Sequence, residues 1–385
     1  MRETIIVAGS LAQKPRYGGH TWVFLQYLLG FRRLGWDVLF LDQLELENCR
    51  DAAGNPCSIV QSLNLRYVQE VMERYGLQDS YAVIADRSQH VFGLSRTEIV
   101  RRLKRSAILL NVMGFLRDEE MLAAASRRVF LDIDPGFGQF WRELGLHDMF
   151  QGHDAYVTIG ENIGKPDCSV PSCGLTWITT PQPIVLDRWP LHPTPERAPI
   201  TSVVSWRGAY GPIEYQGTTY GLRVHEFRRF LQLPQCTHNR LQLALDIHPS
   251  ETKDIALLRE NGWELVDPLQ VTGDPWGYQH YIQSSRAELM VAKNLYVQTH
   301  AGWFSDRSLC YLASGKPVIA QETGFSQHYP IGEGLLSFST PEEACWAIEE
   351  VSTHYDHHAR VARTLAEDYF ESDKVLGRLL SKLSV

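Results

Sequence analysis

Short runs of Val, Ile and Leu, each closed by turn residues, recur along this chain in two series separated by segments of helical spacing. The first series is "TIIVAG" (Thr4–Gly9), "DVLFLD" (Asp37–Asp42), "YAVIAD" (Tyr81–Asp86), "AILLNV" (Ala107–Val112), "RVFLDID" (Arg128–Asp134) and "AYVTIG" (Ala155–Gly160). The second is "TSVVSW" (Thr201–Trp206), "LQLALD" (Leu241–Asp246), "WELVD" (Trp263–Asp267), "AELMVA" (Ala287–Ala292), "KPVIAQ" (Lys316–Gln321) and "GLLSFS" (Gly334–Ser339). Strands that are apolar almost throughout, rather than alternately, are buried on both faces. With helices between them they form parallel sheets covered on both sides. The pattern therefore predicts an α/β chain of two Rossmann-like, doubly wound domains.

A proline-dense stretch, "PQPIVLDRWPLHPTPERAP" (Pro181–Pro199), separates the two series. Six fixed φ angles and six missing N–H donors make a stiff, extended connection and a domain border. The expected division is residues 1–190 for the first domain and 191–365 for the second. A C-terminal helix, 366–385, is expected to pack back on the first domain. Between the first two strands, Trp22, Leu25, Leu28 and Leu29 recur at helical spacing until Gly35 stops the helix. The tail from Pro341 reads as helical throughout, opening on Pro and two acids.

Composition narrows the function. A length of 385 residues is more than one core comfortably fills, which agrees with two domains. The net charge of −8 argues against a general nucleic-acid binder, because phosphate backbones need a basic surface, though a local basic pocket remains open. Seven cysteines without a regular framework point to reduced thiols in the cytoplasm rather than to disulfides. The close pair Cys168 and Cys173 lacks a second Cys/His pair at zinc-like spacing, so loop cysteines are expected there. "MRETIIVAGS" shows no secretory leader, and no apolar run reaches the roughly 18–20 residues that cross a bilayer.

In doubly wound sheets ligands bind outside the carboxyl ends of the strands, so the loops there carry the candidate site residues. In "HAGWFSDRSLCYLASGKPVIAQETGF" (His300–Phe325), Ser305-Asp306-Arg307-Ser308 precedes a short amphipathic helix. A Ser or Asp cap satisfies free amides of the first turn, the helix dipole favours an anion, and Arg307 offers a fork of donors to a phosphate. An ordinary N-cap with a solvent-facing Arg is the plainer reading. The loop Glu322-Thr323-Gly324 is small enough to bring backbone amides to an anion.

"RSLCYLASGKPVIAQETGF" resembles the donor-binding segment of glycosyltransferases of the GT-B fold, most of all the CgeB-like group, over about Ser284–Leu383. In the first half the resemblance rests on topology and "GGH". It implies two domains facing a central cleft and a nucleoside-diphosphate sugar as donor, transferred without a metal to a small-molecule or glycan acceptor. Arg307 stands where the CgeB-like Arg stands. Other GT-B families carry two glutamates eight residues apart in this segment; aligned on Gly315, those positions hold Gly302 and Cys310, so the glutamate roles do not carry over. "THAGW" is similar to a His-x-Gly-Trp segment whose His meets a donor phosphate, which makes His300 a candidate. The same resemblance implies a diphosphate or sugar contact at Thr323 and Gly324. It also implies cations at Arg207, Lys293 and Arg223 to neutralise the departing diphosphate.

On the acceptor side, "YGGHTW" (Tyr17–Trp22) opens the first helix. The resemblance places a general base there in inverting members, which makes His20 the candidate, with Asp132 or Asp134 as supporting acid. Gly18 and Gly19 are the alternative, letting the loop approach a donor phosphate. "DID" (Asp132–Asp134) invites a metal reading, set aside because a two-domain architecture does not use that motif; no metal and no cofactor are expected. Two other classes stay open: a GT-B nucleotide-sugar epimerase, and a catalytically degenerate binding protein.

Overall fold

The computed structural model describes residues 3–85, 90–195 and 197–385. Every run of the two series within them forms a strand; the expected end of the third at Asp86, and Glu196 in the proline-dense stretch, lie outside the described residues. The first sheet contains β1 (Thr4–Gly9), β2 (Asp37–Leu44), β3 (Tyr81–Ala85), β4 (His90–Gly93), β5 (Ser106–Val112), β6 (Arg128–Asp132), β7 (Ala155–Thr158) and β8 (Trp177–Thr179). Their order is β4-β3-β2-β1-β5-β6-β7-β8, parallel except for the edge pair β3–β4.

The second half contributes β9 (Ile200–Ser205), β10 (Ile213–Tyr215), β11 (Thr218–Tyr220), β12 (Leu241–Asp246), β13 (Glu264–Val266), β14 (Ala287–Met290), β15 (Val318–Gln321) and β16 (Leu335–Phe338). Six of these make a wholly parallel sheet in the order β13-β12-β9-β14-β15-β16, while β10 and β11 pair as a separate hairpin. Each large sheet reverses its winding beside its first strand, between β1 and β5 and between β9 and β14. Those are the points at which doubly wound sheets open a crevice.

The second of these crevices has a visible cause. Strand β9 runs in register with β12 as far as Ser205↔Asp246, but it pairs with β14 only at Ile200↔Ala287 and Thr201↔Glu288. Beyond Thr201 the ladder stops, and a buried guanidinium stands in the gap: Arg223 donates to Ser205 O on one strand and to Val291 O just past the other, both at 3.0 Å.

The helix α1 (Gly18–Arg33) is buried on nearly all sides. It lies against its own sheet, against the helix Pro275–Gln283 of the second half, and against the C-terminal helix Ser372–Lys382. Gly30 makes the last contact possible, since a Cβ there would lie 2.5 Å from Leu376 Cδ1. Arg33 pairs with Asp373, and Ile184 exchanges backbone hydrogen bonds with Phe370 and Ser372. The tail is helical apart from short junctions at His354 and Glu371.

The expectation of reduced thiols throughout is corrected: Cys236 and Cys345 form a disulfide within the second half. They are 109 residues apart, so no spacing rule finds them; the turn before β12 and the helix Pro341–Thr353 bring them together. Cys168 and Cys173 are free. Among the described residues, no helix is long and apolar enough to cross a membrane.

Candidate functional site: a cleft between the two lobes

The loop Ser10–Tyr17, between β1 and α1, reaches across to the second lobe. Gly18 N donates to Thr272 O at 3.0 Å, and Trp22 Nε1 donates to Pro275 O at 2.7 Å. The glycines are required here for packing: a Cβ on Gly18 would sit 2.2 Å from Asp274 O, and one on Gly19 2.8 Å from the Tyr278 ring. The loop itself is clamped from below, with Ala12 N donating to Asp42 at 2.6 Å and Ala12 O accepting from Asn64 at 2.7 Å. Burial pushes the Asp42 carboxyl up to about 8.

Two adjoining cavities open along this seam. The larger, about 500 Å³, is lined on the first lobe by Gln13, Lys14, Tyr17, His20 and Asp134, and on the second by Ser205–Tyr210 loop residues with Arg223, Asp246 and Lys293. The smaller, about 190 Å³, is a mainly apolar slot between Arg16–His20 and Val203–Ser205, closed by Pro268, Leu269 and Thr272. Tyr17, His20, Ser205 and Asp246 line both. Of the second-lobe residues, Ser205, Asp246 and Lys293 lie at or just beyond the carboxyl end of a strand, and Arg223 lies at the head of a helix.

The larger cavity holds four cations. Lys293 Nζ binds both carboxylate oxygens of Asp134 at 2.7 Å, and Tyr296 donates its hydroxyl to the same group. Burial lowers the Lys293 pKa while Asp134 opposes the shift. Arg207 pairs with Glu251 at the exposed rim. Lys14 and Arg223 form no ion pair with a carboxylate among the described residues. Arg223 is 8% exposed, and burial, helped by the neighbouring Arg307 charge, lowers it to about 10. The walls of the cleft similarly hold the Lys14 ammonium below its usual value. Four cations against Asp134, Asp246 and Glu251 leave this region with an excess of positive charge, the field that attracts an anion.

His20 lines both cavities, but its ring nitrogen Nε2 meets Ser10 Oγ at 3.0 Å, and neither Asp132 nor Asp134 touches it. Burial and the Lys14 charge push its pKa down to about 3, so the ring is neutral at ordinary pH. The expected support of His20 by Asp134 is therefore corrected: Asp134 is committed to Lys293. Asp132 is buried, accepts from Gln139 at 2.7 Å and Thr158 at 3.0 Å, and is raised to about 6 by burial. The two aspartates of "DID" thus face separate partners and do not present a joint metal site.

The segment His300–Phe325 is placed differently from expectation, and for a single reason: it packs inside and between the lobes instead of lining either cavity. Arg307 is buried against Glu288, which has no exposed side-chain surface, and donates to Val203 O at 2.8 Å. Two arms of its fork, Nε and Nη1, are used by the protein, while Nη2 is buried without a hydrogen-bond partner. Ser305 caps the helix Asp306–Ala313 by accepting from Arg307 N, and Asp306 itself supplies the negative charge at the dipole's positive end. Ser308 is fully buried, Thr323 donates to Trp303 O at 2.5 Å, and Gly324 O accepts from Asn162 at 3.2 Å. His300 is exposed; its left-handed backbone ends the helix Asn294–Thr299 and its carbonyl accepts from Asn162. Of the expected site residues the cleft gathers Gly18, Gly19, His20, Asp134, Arg207, Arg223 and Lys293, and it adds Lys14, Tyr17, Asp246 and Tyr210.

Elsewhere Glu350, His354 and His358 bring three ligand atoms within 4.8 Å of one another. Their chemistry does not suit a cation, because Gly334 N donates to His358 Nδ1 at 3.1 Å. A neutral ring that accepts at Nδ1 keeps its proton on Nε2, the atom that faces Glu350.

Two Rossmann-like lobes meeting at such a cleft define the GT-B fold, the architecture of one large class of glycosyltransferases. No protein-family model and no curated protein matches the chain. Among solved structures, it is similar to an alpha-glucosyltransferase in complex with UDP (12% identity, 100% of each chain, TM-score 0.60). It is also similar to Anabaena HepE in complex with UDP and glucose (11%, 99% of each chain, 0.56) and to a sucrose-phosphate synthase from Thermosynechococcus elongatus (12%, 99% of each chain, 0.55). At these identities the likeness establishes the GT-B fold.

Proposed function

We propose that the protein is a glycosyltransferase that moves a hexosyl group from a nucleoside-diphosphate sugar, bound in the interlobe cleft, to an acceptor hydroxyl. The observation that carries this reading is the pair of cations, Lys14 and Arg223, that form no ion pair among the described residues, beside an apolar slot of nucleobase size. Several solved structures of similar fold are complexes with UDP, with UDP and glucose, or with UDP-glucose, which supports the same donor chemistry.

When the bond from sugar to phosphate breaks, negative charge builds on the departing diphosphate. Lys14, Arg223 and, at the rim, Arg207 stabilise that charge without a metal in this reading. Fixed donors of this kind contribute about 3–4 kcal/mol each to a transition state. His20, neutral and held by Ser10, orients donor or acceptor and is a poor proton acceptor at pH 7. The acceptor enters on the first-lobe side, near Asp134. Side chains leave the cleft open rather than filling it, which favours an enzyme over a degenerate binding protein.

The test is calorimetric titration of UDP, GDP and dTDP, with and without EDTA, into the protein and into Arg223→Ala. Binding that survives EDTA and weakens tenfold or more on substitution supports the proposal. Absence of binding by all three nucleotides refutes it.

A further inference from the structure

Asp246 has no role in the reading above, and its position is unusual. It ends β12, exposed, beside its register partner Ser205, and among the described residues its carboxylate meets only the Ser205 hydroxyl, at 3.3 Å. It pairs with none of the four cations that share its cavity. A carboxylate left unpaired beside a phosphate pocket repels the anion that the pocket is built for, unless the ligand brings hydrogen-bond donors to it.

Its location says which part of the ligand does so. Asp246 lines both the apolar slot and the cationic cavity. In a nucleoside diphosphate the base fills the first and the phosphates fill the second, so the pentose lies between them. β12 is also the second strand of its nucleotide-binding half, next to β9 in the order β13-β12-β9-β14. The end of the second strand is where doubly wound folds place an acid against ribose hydroxyls. The anchoring is firm: Ser205 O, opposite Asp246, is held by the buried Arg223.

We propose that Asp246 accepts hydrogen bonds from the 2′ and 3′ hydroxyls of the donor's ribose and so makes the protein selective for ribonucleotide over 2′-deoxyribonucleotide sugars. This rests on the donor reading above and adds a residue and a selectivity to it. Hydrogen bonds to a charged group change affinity by about ten- to a hundredfold.

The experiment is calorimetry of UDP, 2′-deoxy-UDP and inorganic pyrophosphate with wild type and Asp246→Ala. Wild type is expected to prefer UDP over 2′-deoxy-UDP by tenfold or more. Asp246→Ala is expected to bind the two alike while holding pyrophosphate at least as tightly as wild type. Equal affinity of wild type for the two nucleotides overturns the inference and leaves the donor reading standing, as does retained preference in the variant. Weaker pyrophosphate binding in the variant also overturns it, because Asp246 then supports the pocket's shape. Failure of wild type to bind any of the three ligands refutes the donor reading itself. The wild-type preference decides the question alone if the variant does not fold.

Discussion

Arg307→Met and Arg223→Met separate structural from ligand-binding arginines. Arg307 neutralises Glu288 in a place without solvent, and removing one partner of such a buried pair costs about 3–5 kcal/mol. Loss of the bond to Val203 O adds about 1 kcal/mol. Arg307→Met is therefore expected to lower the urea midpoint strongly, while its folded fraction binds UDP within about threefold of wild type. Adding Glu288→Leu removes the stranded charge and restores most of the stability, since apolar replacements of a buried pair are commonly neutral or better. Arg223→Met bares Ser205 O and Val291 O, at about 1–3 kcal/mol each, and also removes a charge that forms no ion pair among the described residues. Its UDP affinity is expected to fall about ten- to a hundredfold. Urea unfolding and calorimetry, run where all variants are folded, give both quantities. If Arg307→Met keeps the wild-type midpoint but loses UDP, Arg307 is a phosphate ligand and the reasoning fails.

His20 is neutral in the fold, with a pKa of about 3 against 6.5 when unfolded, so the unfolded chain binds the extra proton between those values. Its contribution to stability is complete above pH 6.5 and is lost as pH falls toward 3; His20→Gln should flatten that slope in acid unfolding curves. Gly18→Ala drives a methyl into Asp274 O, and is expected to weaken UDP binding tenfold or more; unchanged affinity would mean that the seam moves freely. Reduction of Cys236–Cys345, or Cys345→Ser, should cost about 2–4 kcal/mol in thermal or urea unfolding, with equal melts in the presence and absence of reductant counting against a formed bond.

The fold was legible because twelve of the fourteen strands of the two large sheets are dense apolar runs that stand out from their surroundings. The strands that escaped notice carry weaker signals. β8 has three residues and β4 is an edge strand with exposed ends, while β10 and β11 form a small hairpin. "EYQGTT" held a cue for that hairpin: Gln216 and Gly217 both take positive φ, as a two-residue turn requires. In the site, Gly18, Gly19, His20, Arg207 and Lys293 were reachable from the rule that ligands bind at strand ends. Arg307 misled because a capped helix and an adjacent Arg look the same in sequence whether the guanidinium meets a phosphate or a buried Glu288 on the preceding strand. Lys14 and Asp246 were passed over for a related reason: one is a lone Lys in a loop and the other a strand's last letter, and only the meeting of two lobes gives either a neighbour.

The gap between β9 and β14 has one more consequence. With Nε and Nη1 already fastened to two main-chain oxygens, Arg223 has no torsional freedom left to surrender when an anion arrives. Its charge is preorganised by the backbone itself, so recognition there is entropically cheap and depends on how far the two strands stand apart. Substitutions that alter this spacing, even from the far side of the sheet, would retune donor affinity without touching the donor.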